Sequence, residues 1–133
     1  MREIRETLKE PERGEREDNR SKGAAREQEA CAYLRAAGYR ILEQNYRIRS
    51  GEIDLIAADG DEIVFCEVKY RRTSGGGPAL EAVDGHKQYK ILQTARYYLM
   101  RHPAWSEKTV RFDVIGIDGG GRITHIKNAF QEW

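Results

Sequence analysis

The stretch EIVFCEVKY, residues 62 to 70, constrains the fold more than any other part of the chain. Its first half is an unbroken apolar run of β-forming residues, the pattern of a strand buried on both faces. Its second half takes up a Glu and a Lys. Charges inside a sheet cost free energy unless they sit at an edge, pair with one another or hold an ion. Side chains alternate across a strand, so Ile63, Phe65, Glu67 and Lys69 share one face and Val64, Cys66, Val68 and Tyr70 share the other. The charges therefore gather at one end of one face.

Two β signals precede this stretch, RILEQNYRI (40 to 48) and EIDLIAA (52 to 58), with tight-turn pairs at Ser50-Gly51 and Asp59-Gly60. Together the three strands read as an antiparallel meander. Two further strands, VRFDVIGI (110 to 117) and RITHIK (122 to 127), surround a turn at Asp118 to Gly121. Ala24, Ala30, Cys31, Leu34 and Ala37 recur at helical spacing, which predicts a helix from Gly23 to Gly38. A second helix spans about 80 to 101, with Ile91, Leu92, Ala95, Tyr98 and Leu99 on one face, and RRTSGGGP (71 to 78) reads as a flexible loop. The order αβββαββ predicts an α/β fold, a mixed β-sheet flanked by helices.

Residues 1 to 22 carry seven basic and seven acidic side chains and offer little to bury. They are expected to form a flexible extension ahead of a single domain, 23–133. Over the whole chain, 23 basic residues face 22 acidic ones, a net charge of +1, so any nucleic-acid binding has to come from a local basic patch. No apolar run approaches the roughly 20 residues of a membrane span, and a soluble cytoplasmic protein with no membrane partner is expected. Cys31 and Cys66 read as buried thiols, and the two Cys and three His have no zinc spacing.

The charged strand end finds a partner in the preceding strand, where Glu52, Asp54 and Ile56 are expected on the face opposite Ile53, Leu55 and Ala57. A turn at Asp59-Gly60 opposes Asp54 with Phe65 and leaves Glu67 diagonal to it; a turn at Gly60-Asp61 opposes Asp54 directly with Glu67. Both registers put the two carboxylates on one face. Carboxylates that close repel and raise one pKa unless a cation lies between them, and a hard divalent ion such as Mg²⁺ suits oxygen ligands and water. Lys69, on the same face, would hold a water or stabilise charge on a phosphate.

A two-residue loop at Ser50-Gly51 would pair Arg49 with Glu52 and Arg47 with Asp54, setting two guanidinium groups beside the carboxylates. Plain cross-strand ion pairs on a solvated face are the alternative. On the first helix, at about 100° per residue, Ala24, Ala30, Cys31 and Leu34 lie within about 60° of Glu27. This carboxylate on a core-facing stripe either reaches the same ion or snorkels into a salt bridge.

Four segments resemble a known family: G-x-x-x-E-x-x-A-x-x-Y-L-x-x-x-G-Y from Gly23 to Tyr39, N-Y-R-x-R-x-G-E-I-D-L-I from Asn45 to Ile56, F-x-E-V-K-x-R from Phe65 to Arg71, and R-F-D-V from Arg111 to Val114. They are similar to the YraN-like proteins, a bacterial family of unassigned function in the PD-(D/E)XK nuclease superfamily beside Holliday junction resolvases. The resemblance covers about residues 21 to 131. It implies the restriction endonuclease-like core, αβββαβ. It also implies that Asp54, Glu67 and Lys69 match the superfamily's D…(D/E)-x-K and that Glu27 matches the helix carboxylate of the resolvase branch.

The function so implied is a Mg²⁺- (or Mn²⁺-) dependent endonuclease acting on structured or branched DNA, with a homodimer left open. Asp54, Glu67 and the backbone carbonyl of Val68 would hold the metal, and Glu27 would bind it directly or through water. Lys69 would orient the attacking hydroxide, while Arg47, Arg49, Arg71 and Lys87 would position the DNA backbone. A non-catalytic DNA-binding or protein-interaction module on the same fold is the alternative. Two departures from the family are Cys66, where Val is frequent, and Ser74-Gly75-Gly76 in place of an aromatic.

Overall fold

The computed structural model describes residues 14–70 and 83–130. Helix α1, Gly14–Ala36, leads into strands β1, Arg40–Ile48, β2, Gly51–Asp59, and β3, Glu62–Tyr70. Helix α2, Gly85–Arg101, and a 3₁₀ turn at Pro103–Trp105 precede β4, Thr109–Ile117, and β5, Ile123–Phe130. The strands form one sheet in the order β1-β2-β3-β4-β5. Only β3 and β4 run parallel; the other neighbours are antiparallel. Two-residue turns join β1 to β2 and β2 to β3, a five-residue turn joins β4 to β5, and the parallel pair needs a crossover, which carries α2. This is the α/β fold of the restriction endonuclease-like core, with one antiparallel strand added at its edge.

Helix α1 reaches back to Gly14, so the charged segment expected to lie outside the fold is helical over residues 14 to 22. An apolar stripe marks where a helix packs; it does not mark where the backbone stops being helical. At the other end the sequence signal is sound. Gly38 takes φ +96°, and Tyr39 N–H donates to Leu34 O at 2.9 Å while Gly38 N–H donates to Arg35 O at 3.0 Å. That left-handed glycine cap satisfies two orphan carbonyls and brings Tyr39 back onto Leu34 in the core.

The second helix starts later than the periodicity predicts, at Gly85. Asp84 caps it, its side chain accepting from Lys87 N–H at 2.9 Å. Ile91, Leu92, Ala95 and Tyr98 are buried against the sheet as expected, and Thr94 joins them. No helix among the described residues is long and apolar enough to cross a membrane.

Each face of the sheet has its own core. On the α2 side Ile53, Ile56, Ile63, Phe65, Phe112 and Val114 pack beneath Ile91, Leu92, Ala95 and Tyr98. On the α1 side Leu55, Ala57, Val64, Cys66, Ile115 and Ile117 pack beneath Ala30, Cys31 and Leu34. Central strand β3 is covered on both sides, which accounts for its unbroken run from Ile63 to Cys66; each large side chain so buried contributes about 1.5–3 kcal/mol. Both cysteines are free and buried.

A candidate metal centre at the end of β2 and β3

Of the two registers open to the β2–β3 hairpin, the turn at Gly60-Asp61 is the one formed: Asp59 pairs with Glu62 and Leu55 with Cys66. Asp54 and Glu67 come just beyond the last pair of that ladder, close enough for the Glu67 charge to act on the Asp54 carboxyl. Gly60, at φ +65°, supplies the left-handed turn residue. Strict alternation fails at Asp54 itself, a correction to the expected pattern. Ile53 joins the α2-side core although Leu55 and Ala57 join the α1-side core. β2 therefore twists at Asp54, and the residue beside it on β1, Asn45, takes φ +53°, a left-handed conformation that Asn tolerates.

Asp54 Oδ2 accepts a hydrogen bond from Val68 N–H at 2.8 Å, which ties the carboxylate to the backbone of the E-V-K segment. Burial and the neighbouring Glu67 carboxylate push the Asp54 pKa up to about 8; the Val68 N–H opposes this, and Glu52 and Glu27 add to it. Glu67 is 6% exposed. Its Oε2 lies 2.9 Å from Lys87 Nζ, which extends from the first turn of α2. Burial alone would lower the Lys87 pKa, but hydrogen bonding to Glu67 and the charges of Glu67, Asp54 and Glu52 raise it. Lys87, read in the sequence as a DNA contact or a solvated helix charge, is thus an ion-pair partner of a candidate ligand.

Glu27 sits on α1 with Oε1 accepting from Asn45 Nδ2 at 2.8 Å. Since Gln44 pairs with Leu55 and Tyr46 with Ile53, Asn45 lies across from Asp54. Glu27 thereby reaches the Asp54 position through Asn45, a link the sequence reading missed; only its place in N-Y-R signalled it. Among the described residues no three His, Cys, Asp or Glu side chains converge on one point. Lys69 is half-buried two residues beyond Glu67 on the same strand.

The expected β1–β2 register is off by two. Ile48 pairs with Gly51 and Arg47 with Glu52, so the turn is Arg49-Ser50 and Arg47 does not face Asp54. A shift of two residues keeps each side chain on its face but moves Arg47 from Asp54 to Glu52. Arg47 Nε lies 3.5 Å from Glu52 Oε2, both groups in solvent, and Arg49 sits exposed in the turn. Gly51 comes close to α2. A Cβ on it would collide with the Thr94 hydroxyl and come within 3.2 Å of Lys90 O on α2. The hairpin leans on α2 at this glycine and leaves a cleft of about 530 Å³, lined by Arg47, Arg49, Glu52, His86, Lys87 and Lys90 among others. Arg71 lies outside the described residues.

The donor set fits a hard divalent cation. Two carboxylates, Glu67 raising the cost of ionising Asp54, with a main-chain carbonyl at Val68, suit Mg²⁺ or Mn²⁺; nothing here suits a soft metal. Lys87 is the competing charge for Glu67.

A second polar cluster, invisible in the sequence, lies on the α1 side of β4. Asp113 is fully buried and accepts from Arg111 Nε and Nη2, each at 3.0 Å, and from Asn128 N–H at 2.9 Å. His125 Nε2 is 2.6 Å from Asp113 Oδ2, and Tyr33 OH is 2.9 Å from His125 Nδ1. A neutral imidazole protonated on Nε2 satisfies both contacts. Burial would raise the Asp113 pKa, but the hydrogen bonds from His125, Arg111 and Asn128 hold it below the ordinary carboxylate value. Arg111 also reaches Tyr39, Asp59 and Glu62. The cluster locks α1 to β4 and β5 and explains Arg111 and Asp113 as structural residues.

Comparison with known proteins gives a consistent match. The model of the uncharacterised protein family UPF0102 fits residues 26–117. A UPF0102 protein of Stutzerimonas stutzeri (strain A1501) is 42% identical over 117 residues, 86% of this chain and 98% of the relative. One of Pseudomonas syringae pv. syringae (strain B728a) is 45% identical over 113 residues, 80% of this chain and 92% of the relative.

Proposed function

The chain belongs to the UPF0102 family, and we propose that its Asp54–Glu67 centre is the metal site of a Mg²⁺- or Mn²⁺-dependent phosphodiesterase acting on structured or branched DNA. One observation carries this: two carboxylates held close together at a strand end, one of them pushed up to about 8, beside a cleft whose lining includes Lys87, the ion-pair partner of Glu67. Such a pair is costly to the fold without a cation and is the arrangement expected where binding one is the purpose.

Asp54, Glu67 and the Val68 carbonyl would hold the ion, with Glu27 acting through Asn45 or an intervening water. The bound metal would lower the pKa of its water and offset charge on the scissile phosphate. Lys69 would orient the attacking water by donating a hydrogen bond to it. Lys87 would leave Glu67 for a phosphate oxygen, and Arg47 and Arg49 at the cleft mouth would hold the backbone with little sequence preference. Calorimetric titration of Mn²⁺ into wild type and Glu67→Ala tests the ligand assignment: the variant should lose most of the binding, and equal affinity would remove Glu67 from the site.

A second reading has one observation in its favour. Lys87 already neutralises Glu67 at 2.9 Å, which suits a DNA-binding module that needs no metal. The same titration separates the two, since that module has no affinity for Mn²⁺ to lose.

A further inference from the structure

Helix α2 carries Lys87, Lys90, Arg96 and Arg101 and no Asp or Glu, in a chain whose 23 basic residues face 22 acidic ones. Opposite charges three or four residues apart ordinarily stabilise an exposed helix. α2 goes without such pairs, and it sets Lys87 in its first turn and Lys90 in the next, at the end where the helix dipole disfavours cations. An arrangement that works against the helix is expected where the charges serve another purpose.

Three of the four cations share one flank. At about 100° per residue Lys87, Lys90 and Arg101 fall within about 60° of one another, and at about 1.5 Å per residue they span about 21 Å of the helix axis. Lys87 and Lys90 line the cleft together with Arg47 and Arg49, which sets this flank beside the β1–β2 turn. Arg101 continues it along β1: burial raises the Tyr46 pKa, and the Arg101 charge opposes the rise. Tyr97 holds that guanidinium in place, accepting from Nη1 at 3.2 Å with its ring centroid 5.6 Å away. Lys90 and Arg101 are exposed and form no ion pair among the described residues. Of the acids on this side, Glu52 and Glu67 are paired with Arg47 and Lys87, Glu43 accepts from Tyr98 OH at 3.5 Å, and Asp84 caps the helix. Lys87, with its Nζ on Glu67, sets the start of the row at the candidate metal centre.

A straight row of cations matches the backbone of duplex DNA, whose strands each present a phosphate about every 3.4 Å along a stiff axis. A rigid rod meets such a row with little ordering cost, whereas a single strand has to be straightened to follow it. We infer that the Lys87–Lys90–Arg101 flank of α2 is a docking surface for a duplex arm, which lies along the helix for about six base pairs outward from the metal centre. This rests on the reading of the site as one that acts on DNA, and it names the part of a branched substrate that is held: the paired arm beside the cut.

The test uses the full chain as wild type, as Lys90→Gln combined with Arg101→Gln, and as Arg96→Gln, which removes a charge from the same helix about 120° or more round from the row. Fluorescent forks with a hairpin-closed duplex arm of about 4, 8 or 16 base pairs are titrated in EDTA at several salt concentrations, beside phosphatidylglycerol vesicles. Wild type should bind the middle arm about tenfold tighter than the short one and gain no more than about twofold from the long one. The double variant should lose the gain from arm length and flatten the log-log salt dependence by about two units, while Arg96→Gln keeps the gain and nearly the whole slope. Affinity independent of arm length, an unchanged slope in the double variant, an equal loss of slope in Arg96→Gln, or no binding to any fork overturns the inference. Vesicle binding that the double variant loses while it keeps the forks makes the flank a lipid contact and overturns it too. Cleavage in Mn²⁺ is scored separately. Arm-dependent binding without cleavage keeps the docking surface and removes the hydrolase; cleavage equal across arm lengths and unaffected in the double variant keeps the hydrolase and removes the docking surface.

Discussion

Replacing Asp54 by asparagine removes the charge that the fold tolerates least and keeps its hydrogen bond, because the amide oxygen can still accept from Val68 N–H, 2.8 Å away in the wild type. The wild-type carboxyl is pushed from 3.8 to about 8 by burial and Glu67. At about 1.36 kcal/mol per unit, four units set a ceiling of roughly 6 kcal/mol on the cost of ionising it. Partial exposure and the nearby Lys87 ammonium bring the expected cost to about 2 kcal/mol. With the folded-state pKa raised, the native protein binds this proton more tightly than the unfolded chain does. Metal-free stability therefore falls as pH rises from about 4 to about 8. The amide of the Asp54→Asn variant does not titrate. In EDTA at pH 8 the variant should melt about 7 °C above wild type, and the two curves should converge at and below about pH 4. Mn²⁺ should reverse the order at pH 8, since a ligand that binds only the native state stabilises wild type and not the variant. Circular-dichroism melts at the two pH values, with EDTA and with Mn²⁺, read all four quantities. A variant less stable than wild type at pH 8 in EDTA would refute the reasoning and make Asp54 a structural anion.

Three further outcomes are expected. Glu27→Gln should weaken Mn²⁺ binding more than Glu29→Gln by calorimetry, because only Glu27 connects through Asn45 to the Asp54 position; equal effects would detach α1 from the centre. Arg47→Gln combined with Arg49→Gln should flatten the log-log salt dependence of four-way-junction binding by up to about two units and leave the melting temperature almost unchanged, as both arginines are exposed; an unchanged slope assigns them to the sheet surface. Asp113→Ala should cost about 3–5 kcal/mol in urea unfolding by leaving Arg111 buried without its main partner, with Mn²⁺ affinity per folded molecule unaltered; a loss under about 1 kcal/mol would contradict the locking role.

The α2-side and α1-side cores were legible because β3 reads as a fully buried strand and the helices carry apolar stripes. The Asp54–Glu67 pairing was legible to within two registers, both of which put the residues together. Gly51 shows where sequence reading stops. Beside Ser50 it looks like a turn glycine, but its lack of a side chain serves the close approach of α2, a tertiary fact with no local signature. The twist at Asp54 and the Glu27–Asn45 bond share that origin. Asp113 hides for a different reason: its partners come from β4 and β5, and a lone Asp in an apolar strand does not announce which charges will enclose it.

The central claim, metal-dependent phosphodiester hydrolysis at Glu67, is tested most directly by incubating wild type and Glu67→Gln with four-way junction, flap and blunt duplex DNA in Mn²⁺ and resolving the products on a denaturing gel. Wild type is predicted to cut the branched substrates, to stop on addition of EDTA, and to lose cleavage entirely in Glu67→Gln. Intact DNA in every wild-type lane, or equal cleavage by the variant, would contradict it.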